Sequence, residues 1–379
     1  MSAGRTRPRV VVAGLGDTGV LVATRLARTC AVTAVATRPA LVSGQELGVR
    51  LTDGPRWRRT YLIPYPRFRR LDRVRTVHGR ITAADLEARV VTIEAAEGTI
   101  TSEPYDVLVI ATGVSNGFWR HDRVEDLATI EAGLAEVANE LAAAPTIAVV
   151  GGGATGVSVA DNLARAGRAE VHLFHGGEQP LPGYHPRARA WAADTLRRDG
   201  VVVHPEHRAD LPEGFATDRL THEAVTWSTG QPPFTADLVF WAVGKVRPHT
   251  AFLPAAVLDA EGFVRVDEHL QIPGRPEVFA LGDVAASDPL RSSARNWGYR
   301  IVVANVHRHL RGGRRLRRFR PPAYRWGSVL GLQPEGLTVV QPNGKRFRFP
   351  RRVAEPMLFG WFVTRYLYGG LRRERPEGS

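Results

Sequence analysis

The sequence predicts an α/β fold built on two separate dinucleotide-binding units. Two observations carry that expectation. GLGDTG, Gly14 to Gly19, follows the apolar run RVVVAG, and GGGATG, Gly151 to Gly156, follows TIAVVG. Both stretches have the form G-x-G-x-x-G, and each stands between a strand pattern and a helix pattern. In such a turn the first glycine (Gly14, Gly151) permits a tight bend. The second (Gly16, Gly153) lets the backbone approach a pyrophosphate, and the third (Gly19, Gly156) lets helix pack on strand. The helix then offers free N–H groups and the positive end of its dipole to the phosphates. One such turn is a weak signal. Two in the required context predict two dinucleotides, hence an electron path with nicotinamide on one and flavin on the other.

The elements follow in order. Arg9–Ala13 is a short apolar run of the kind found in buried parallel strands. VLVATRLAR then gives a helix and AVTAVAT a second strand, which completes a βαβ unit. Residues 39–76, rich in Arg, Pro and aromatic side chains, read as irregular. Hairpin-like strands are expected near 77–83 and 88–94, and Val107–Ile110 is a buried strand running into the loop Ala111–Gly113. Residues 123–144 predict a helix stopped by Pro145. A second βαβ unit follows, with a strand at 146–150, the glycine turn, a helix to Gly167 and a strand at Glu170–Phe174. Further strands are expected at 201–204, 236–243 and 278–285, the last ending in the turn LGDVA, with a helix at 292–310. Asp283 in that turn stands where a carboxylate can accept hydrogen bonds from polyol hydroxyls. The helix behind it is placed to aim its N-terminus at a flavin's pyrimidine edge. GLTVVQPNGKRFRFP predicts a hairpin turning at Asn343–Gly344, and PMLFGWFVTRYLYGG is short and very apolar.

Composition narrows the function. A chain of 379 residues, 44% hydrophobic and 23% charged, suits a soluble globular protein of two or three domains. Its one cysteine, Cys30, excludes an internal disulfide and any dithiol redox pair. Cys30 itself reads as a small buried hydrophobe rather than a catalytic thiol. The net charge of +13, from 51 Lys+Arg against 38 Asp+Glu, favours anionic partners or simply solubilises the surface. Its densest run is RGGRRLRRFR at 311–320. MSAGRTRP lacks the apolar core of a signal peptide, and no run of ~20 apolar residues offers a membrane span. A cytoplasmic location is therefore expected, with the inner face of the membrane as a variant.

The order GLGDTG, YDVLVIATG, VVGGGATGV, WAVGKVRP, VFALGDVA resembles the two-dinucleotide-domain flavoproteins, also called pyridine nucleotide–disulfide oxidoreductases, over residues 8–310. Within them, the missing dithiol and apolar C-terminus look most like type II NADH:quinone dehydrogenases and the ferroptosis-suppressor or apoptosis-inducing-factor-like branch. The resemblance implies two Rossmann-like domains, with the NAD(P)H domain (residues 123–245) inserted in the FAD domain (1–122 and 246–318). Residues 319–379 would form a C-terminal hairpin and helix segment. The resemblance assigns Gly14, Gly16, Gly19, Ala111, Thr112, Gly113, Gly282 and Asp283 to FAD, and Gly151, Gly153, Gly156 and Gly244 to NAD(P)H. It implies hydride transfer from NAD(P)H to flavin, then delivery to an acceptor. No metal and no obligatory protein acid or base is involved, because the cofactors carry the chemistry.

Four departures from the pattern stand out. An acidic residue should follow the strand ending near Ala36 to hold the adenosine ribose, but ATRPA puts Thr37 and Arg38 there. Arg38 is expected either to contact the adenosine or its phosphate, or to face solvent. His175, in LFHGGE, occupies the place of the Glu or Asp of NADH-specific members. With that carboxylate gone and Arg187 and Arg189 nearby, tolerance of NADPH or a lean toward it is expected. Glu178 could swing in and restore NADH preference, or His175 is an ordinary loop histidine. Ser158 stands where many relatives place a Glu that reaches the nicotinamide. Finally, Arg295, Asn296 and Trp297 replace an Ala/Gln-rich segment of quinone-reducing relatives. Trp297 and Asn296 are thus the acceptor-face candidates, with Trp297 either narrowing an acceptor pocket or packing between domains.

Three readings of function result. The first is an FAD-dependent NAD(P)H oxidoreductase acting on a quinone or quinone-like acceptor. The second is a reductase for a small redox protein or a specialised small molecule. The third is a flavoprotein with a basic nucleic-acid-binding surface, disfavoured because no recognition motif accompanies 311–320. The tail Met357–Tyr368, flanked by basic residues, fits a membrane-interface helix and equally a helix packed on the body or in a homodimer.

Overall fold

Short apolar runs bounded by glycine become buried parallel strands here. The computed structural model describes residues 6–43, 47–115, 122–213, 215, 219–244, 246–294 and 296–373. Its larger sheet has eight strands, in the order Gln271–Ile272, Arg275–Ala280, Val107–Ile110, Arg9–Ala13, Ala31–Ala36, Val74–Asp85, Val90–Ala95 and Ile100–Pro104. Its five central strands pair in parallel, with Val12 opposite Ala34 on one side and Val109 on the other. Alternate residues serve opposite faces, as the strand period requires. Val10 and Val12 join one core with Val20, Val302 and Val306, whereas Val11 and Ala13 join another with Ile93, Leu108 and Phe252.

The smaller sheet runs Val202–His204, Glu170–Phe174, Thr146–Val150, Leu238–Trp241 and Leu220–Thr221, parallel except for the last pair. Its strands lie in sequence between those of the larger sheet. The chain leaves the larger sheet through Val114–Ser115 and returns through Arg247–Pro248, and these two short strands pair antiparallel. The fold is therefore α/β with two Rossmann-like units, the second inserted in the first.

Among the described residues, the α-helices longer than one turn position the site. They are α1 (Asp17–Leu26), α2 (Leu47–Thr52), α3 (Gly54–Tyr61), α4 (Leu127–Ala143), α5 (Ala154–Ala166), α6 (Pro186–Arg198) and α7 (Gly298–His309). Helix α5 closes on Gly167 in the left-handed conformation, a common helix stop.

The structure corrects three expectations. Residues 39–76 are not irregular, since they hold α2, α3 and the antiparallel pair Ala40–Val42 with Leu62–Pro64. Asp53 caps α3 by accepting from Arg56 N at 3.2 Å, and Pro55 sits in the first turn, where its missing N–H costs nothing. The first expected hairpin strand is part of one long strand, Val74–Asp85, which begins in the parallel sheet and ends paired with Val90–Ala95. Helix α7 starts at Gly298, not 292. Asp288 first gathers Leu290 N, Ser292 N and the Ser292 hydroxyl into a turn, and Trp297 breaks helical geometry at φ 58°.

The hairpin at Asn343–Gly344 forms as expected, with Gly336–Val340 paired to Arg346–Phe349. Beyond it, Ala354–Leu367 winds as a wide π-helix. Among the described residues no helix is long and apolar enough to cross a membrane.

Candidate active site

The two glycine turns prove to be copies of one cradle. A Cβ on Gly14 would lie 2.5 Å from Ala111 O, and one on Gly19 would lie 2.0 Å from Gly14 O. The second turn repeats this, with Gly151 against Ala242 O at 2.5 Å and Gly156 against Gly151 O at 1.8 Å. Any side chain at these four positions collides with backbone. The middle glycines differ, because a Cβ on Gly16 or Gly153 meets nothing within 4 Å. They face open space at the N-termini of α1 and α5, whose caps (Gly16 and Gly153) provide no side-chain acceptor. First-turn N–H groups at a helix N-terminus, beside glycine that leaves room, fit a pyrophosphate.

Each cradle is crossed by a matching loop. Ala111 N donates to Ala13 O at 2.8 Å, and Ala242 N donates to Val150 O at 2.8 Å. Gly113 and Gly244 take positive φ values of 75° and 122°. His249 fastens the first loop. Thr112 Oγ1 donates to its carbonyl at 2.8 Å, its own N donates to Gly113 O at 3.1 Å, and Ser115 Oγ lies 2.8 Å from its Nε2.

The GD turn arrives at the same end of the larger sheet as the first cradle. Leu281 N donates to Ile110 O at 3.1 Å, and Gly282 N donates to Ser293 Oγ at 2.8 Å. Gly282 lies beside Thr18 in the first turn of α1, 3.9 Å from its built Cβ to the hydroxyl. Asp283, half-buried, thus stands next to the first glycine turn.

Arg38 is held in an ion pair with Glu125 at 3.1 Å, both side chains no more than 15% exposed. Glu125 N also donates to Thr37 O at 2.9 Å. A carboxylate does reach the end of Ala31–Ala36, although it comes from the segment before α4 and not from the strand. Sequence reasoning missed it, because nothing local marks a partner 87 residues away.

His175 is no exposed loop histidine. It is 4% exposed, packed where a Cβ on Gly152 would touch its own Cβ at 2.6 Å. Leu181 N donates to Gly152 O at 2.6 Å, so residues 176–184 fold back over the turn. Burial, helped by the charge of Arg189, pulls the His175 pKa down against the opposing Gly177 backbone, which keeps the ring neutral. Arg189 donates to Gln179 O at 3.3 Å, and its Nε is buried without a partner among the described residues. Arg187 and Glu178 are exposed.

Ser158 faces α2, with its carbonyl 2.3 Å from a Cβ built on Gly48. The acceptor-face candidates part company. Asn296 Oδ1 accepts from Trp326 Nε1 at 2.5 Å, and its Nδ2 is buried without a partner among the described residues. Trp297 turns instead to the C-terminal helix, its ring 6.3 Å from Phe362 and under the Arg300 guanidinium at 4.2 Å. Arg295 lies outside the described residues. Cys30 is buried, and burial pushes its thiol pKa up, which leaves it inert. Among the described residues no group of three or more His, Cys, Asp or Glu is placed to hold a metal.

Comparison with known proteins agrees with this geometry. The sequence profile of the family described as pyridine nucleotide-disulphide oxidoreductase matches residues 8–304. An oxidoreductase of Pestalotiopsis fici is 30% identical over 57% of this chain and 58% of its own length. Human ferroptosis suppressor protein 1 is 25% identical over 60% of this chain and 62% of its own. The chain spans a little over half the length of the first curated relatives it matches. Among solved structures, a ferredoxin reductase from Rhodopseudomonas palustris superposes with a TM-score of 0.61 at 22% identity, covering 84% of this chain and 79% of that one. Fold, doubled cradle and sequence profile converge, and the chain belongs to the pyridine nucleotide-disulphide oxidoreductase family, whose two Rossmann-like domains take FAD and NAD(P)H.

Proposed function

We propose that this chain is an FAD-dependent NAD(P)H oxidoreductase that passes electrons to a quinone or quinone-like small molecule without a protein dithiol. The observation that carries the reading is the doubled cradle, in which two glycine turns of identical packing each leave their middle glycine open. Gly14, Gly16, Gly19, the Ala111–Gly113 loop, Gly282 and Asp283 would hold FAD. Gly151, Gly153, Gly156 and Gly244, with His175 and Arg189, would hold NAD(P)H. Bound FAD supplies the hydride acceptor and the two-electron store between nicotinamide and final acceptor.

The chain's own part is binding and orientation. The N-termini of α1 and α5 draw the two pyrophosphates to fixed places. The Arg38–Glu125 pair offers both a cation and a carboxylate to the adenosine end of the first nucleotide. The Asn296 Nδ2, unpartnered among the described residues, would supply a donor just before α7. With one cysteine in the chain, the electrons must leave without a protein dithiol relay.

Neutral His175 and the buried, unpartnered Arg189 Nε support acceptance of NADPH, since neither repels a 2′-phosphate. The exposed Met357, Trp361 and Tyr366 on the C-terminal helix support peripheral contact with a membrane. The net charge of +13 favours one rival, an acidic redox protein as acceptor.

The test is anaerobic reduction of the purified protein, followed by its visible flavin absorption. NAD(P)H should bleach the flavin and a soluble quinone should restore it. Gly14→Val should abolish flavin retention, whereas Gly151→Val should retain flavin that NAD(P)H no longer bleaches. A flavin-free wild type, or normal bleaching in Gly151→Val, overturns the assignment. Bleaching that ferredoxin reverses and quinone does not transfers the acceptor role to the redox protein.

A further inference from the structure

A depression of about 450 Å³ is lined by Arg25, Arg70, Arg300, Arg365, Trp361 and Tyr366. Four separate segments bring the arginines together. Arg25 comes from the last turn of α1, Arg70 from the short helical turn Arg69–Arg73, Arg300 from the first turn of α7 and Arg365 from the wide C-terminal helix. No carboxylate among the described residues lines the depression.

The arginines are left with neutral partners. Arg25 donates to Leu21 O at 3.0 Å and Leu367 O at 3.4 Å, and its guanidinium lies 4.5 Å from the Tyr299 ring centroid. Arg300 donates to the hydroxyls of Tyr299 at 3.2 Å and Tyr366 at 3.1 Å. Arg70 and Arg365 are exposed and have no hydrogen bond or ion pair among the described residues. Arg70 passes directly over Gly369, where a Cβ would lie 1.8 Å from its Nε, so glycine (φ 78°) makes room for it.

Elsewhere the chain does pair its arginines. Arg372 meets Asp72, Arg38 meets Glu125, and Arg165 meets Asp161, Asp199 and Glu335. Gathering like charges without a counter-charge is unfavourable, and the strain registers on Arg25. Burial first, then the charges of Arg70 and Arg300, pull its pKa down against Tyr299. An anion in the depression relieves that repulsion. The guanidinium fork matches phosphate oxygens in paired hydrogen bonds. Beside the forks, Trp361 and Tyr366 stack 6.2 Å apart at 16° with outer surfaces exposed, an apolar wall for the body that carries the phosphate.

The geometry points to a binding site for a phosphate group carried on an apolar body, whether a phospholipid headgroup or a soluble phosphate monoester. The site is independent of which acceptor takes the electrons. Two probes distinguish the sources. One is phenyl phosphate in calorimetric titration, and the other is phosphatidylcholine vesicles with or without phosphatidylglycerol in co-sedimentation. The protein is the FAD-loaded full chain. R70Q/R365Q should weaken binding of the effective probe at least tenfold. R314Q/R315Q, which removes the same charge from the 311–320 run, should change it less than twofold. Flavin content and NAD(P)H bleaching should be unchanged in both variants, which shows intact folding. Phenyl phosphate binding that R70Q/R365Q alone abolishes supports a soluble ligand. Vesicle binding alone, with the same selectivity, supports the lipid headgroup. Binding to neither probe, or equal weakening by both variant pairs, overturns the site.

Discussion

At the scale of the residue, His175 bears most directly on the cofactor choice proposed above. A carboxylate at that strand end holds a ribose 2′-hydroxyl and repels a 2′-phosphate, while a neutral imidazole repels neither. We expect His175→Glu to lower the NADPH/NADH ratio of kcat/KM at least tenfold, read from initial rates with a fixed acceptor. An unchanged ratio would show that Arg189 and the fold-back of 176–184 decide specificity without it. The substitution also stresses the fold, because the site is 4% exposed and tightly packed against Gly152. His175→Gln, neutral and similar in length, is the control for packing alone. The sequence showed which residue stands after the strand but not that it is buried. Burial depends on Leu181 returning to Gly152, in a left-handed conformation (φ 61°) that leucine rarely adopts and that no local pattern announces. The glycines, by contrast, were fully legible, since backbone collisions at Gly14, Gly19, Gly151 and Gly156 leave no other residue type admissible. Arg38 shows the opposite limit, because its ion-pair partner Glu125 is local only in space.

At the scale of the element, α5 carries more than a glycine turn. Its inner face buries Ser158, Asp161 and Asn162. Asp161 shares Arg165 with Asp199 and Glu335, so one guanidinium serves three carboxyl groups, and Asp161 lies deepest. Burial pushes its pKa up to about 7, with Asp199 adding and Arg165 opposing. A carboxyl group that is protonated in the fold but ionises near its ordinary 3.8 in the unfolded chain costs stability as pH rises between those values. Asp161→Asn removes that titration while Arg165 keeps Asp199 and Glu335. The Tm of the variant minus that of wild type should therefore grow from pH 5 to pH 8. Parallel Tm curves would mean that Asp161 is ionised throughout and balanced by Arg165. Long apolar or strongly periodic elements such as α4 and the central strands were legible because one pattern fixes each. Helices α2 and α3 were not. Each is too short for a repeating signal, and they form because Val49, Leu51, Trp57 and Tyr61 find a buried face supplied by distant parts of the chain. The late start of α7 was hidden for a related reason, since a Trp at positive φ is a tertiary outcome.

At the scale of the whole molecule, the far end of the chain closes the first nucleotide unit. Tyr368 is 7% exposed, meets the Phe68 ring edge-on at 5.1 Å, and directs its hydroxyl to Asp17 Oδ1 at 3.5 Å, in the first turn of α1. Around it Arg69 N donates to Gly370 O at 3.4 Å and Arg372 pairs with Asp72. The apolar tail therefore has two faces. Phe362, Val363 and Tyr368 turn toward the body, while Met357, Trp361 and Tyr366 turn outward. Sequence alone left a packed helix and a membrane-interface helix open, because an apolar run of this length supports either until its partners are known. If the tail is structural to the first unit, Tyr368→Ala should cost about 3 kcal/mol in denaturant unfolding and speed FAD loss, as the ring's cavity opens behind α1. Tyr368→Phe keeps the ring and gives up only a long hydrogen bond, so it should stay within about 1 kcal/mol of wild type. FAD release as slow in Tyr368→Ala as in wild type would make the tail an appendage. Faster release in Tyr368→Ala alone would make the turn that carries Tyr368 part of the flavin site, joined to the first glycine turn by one buried ring.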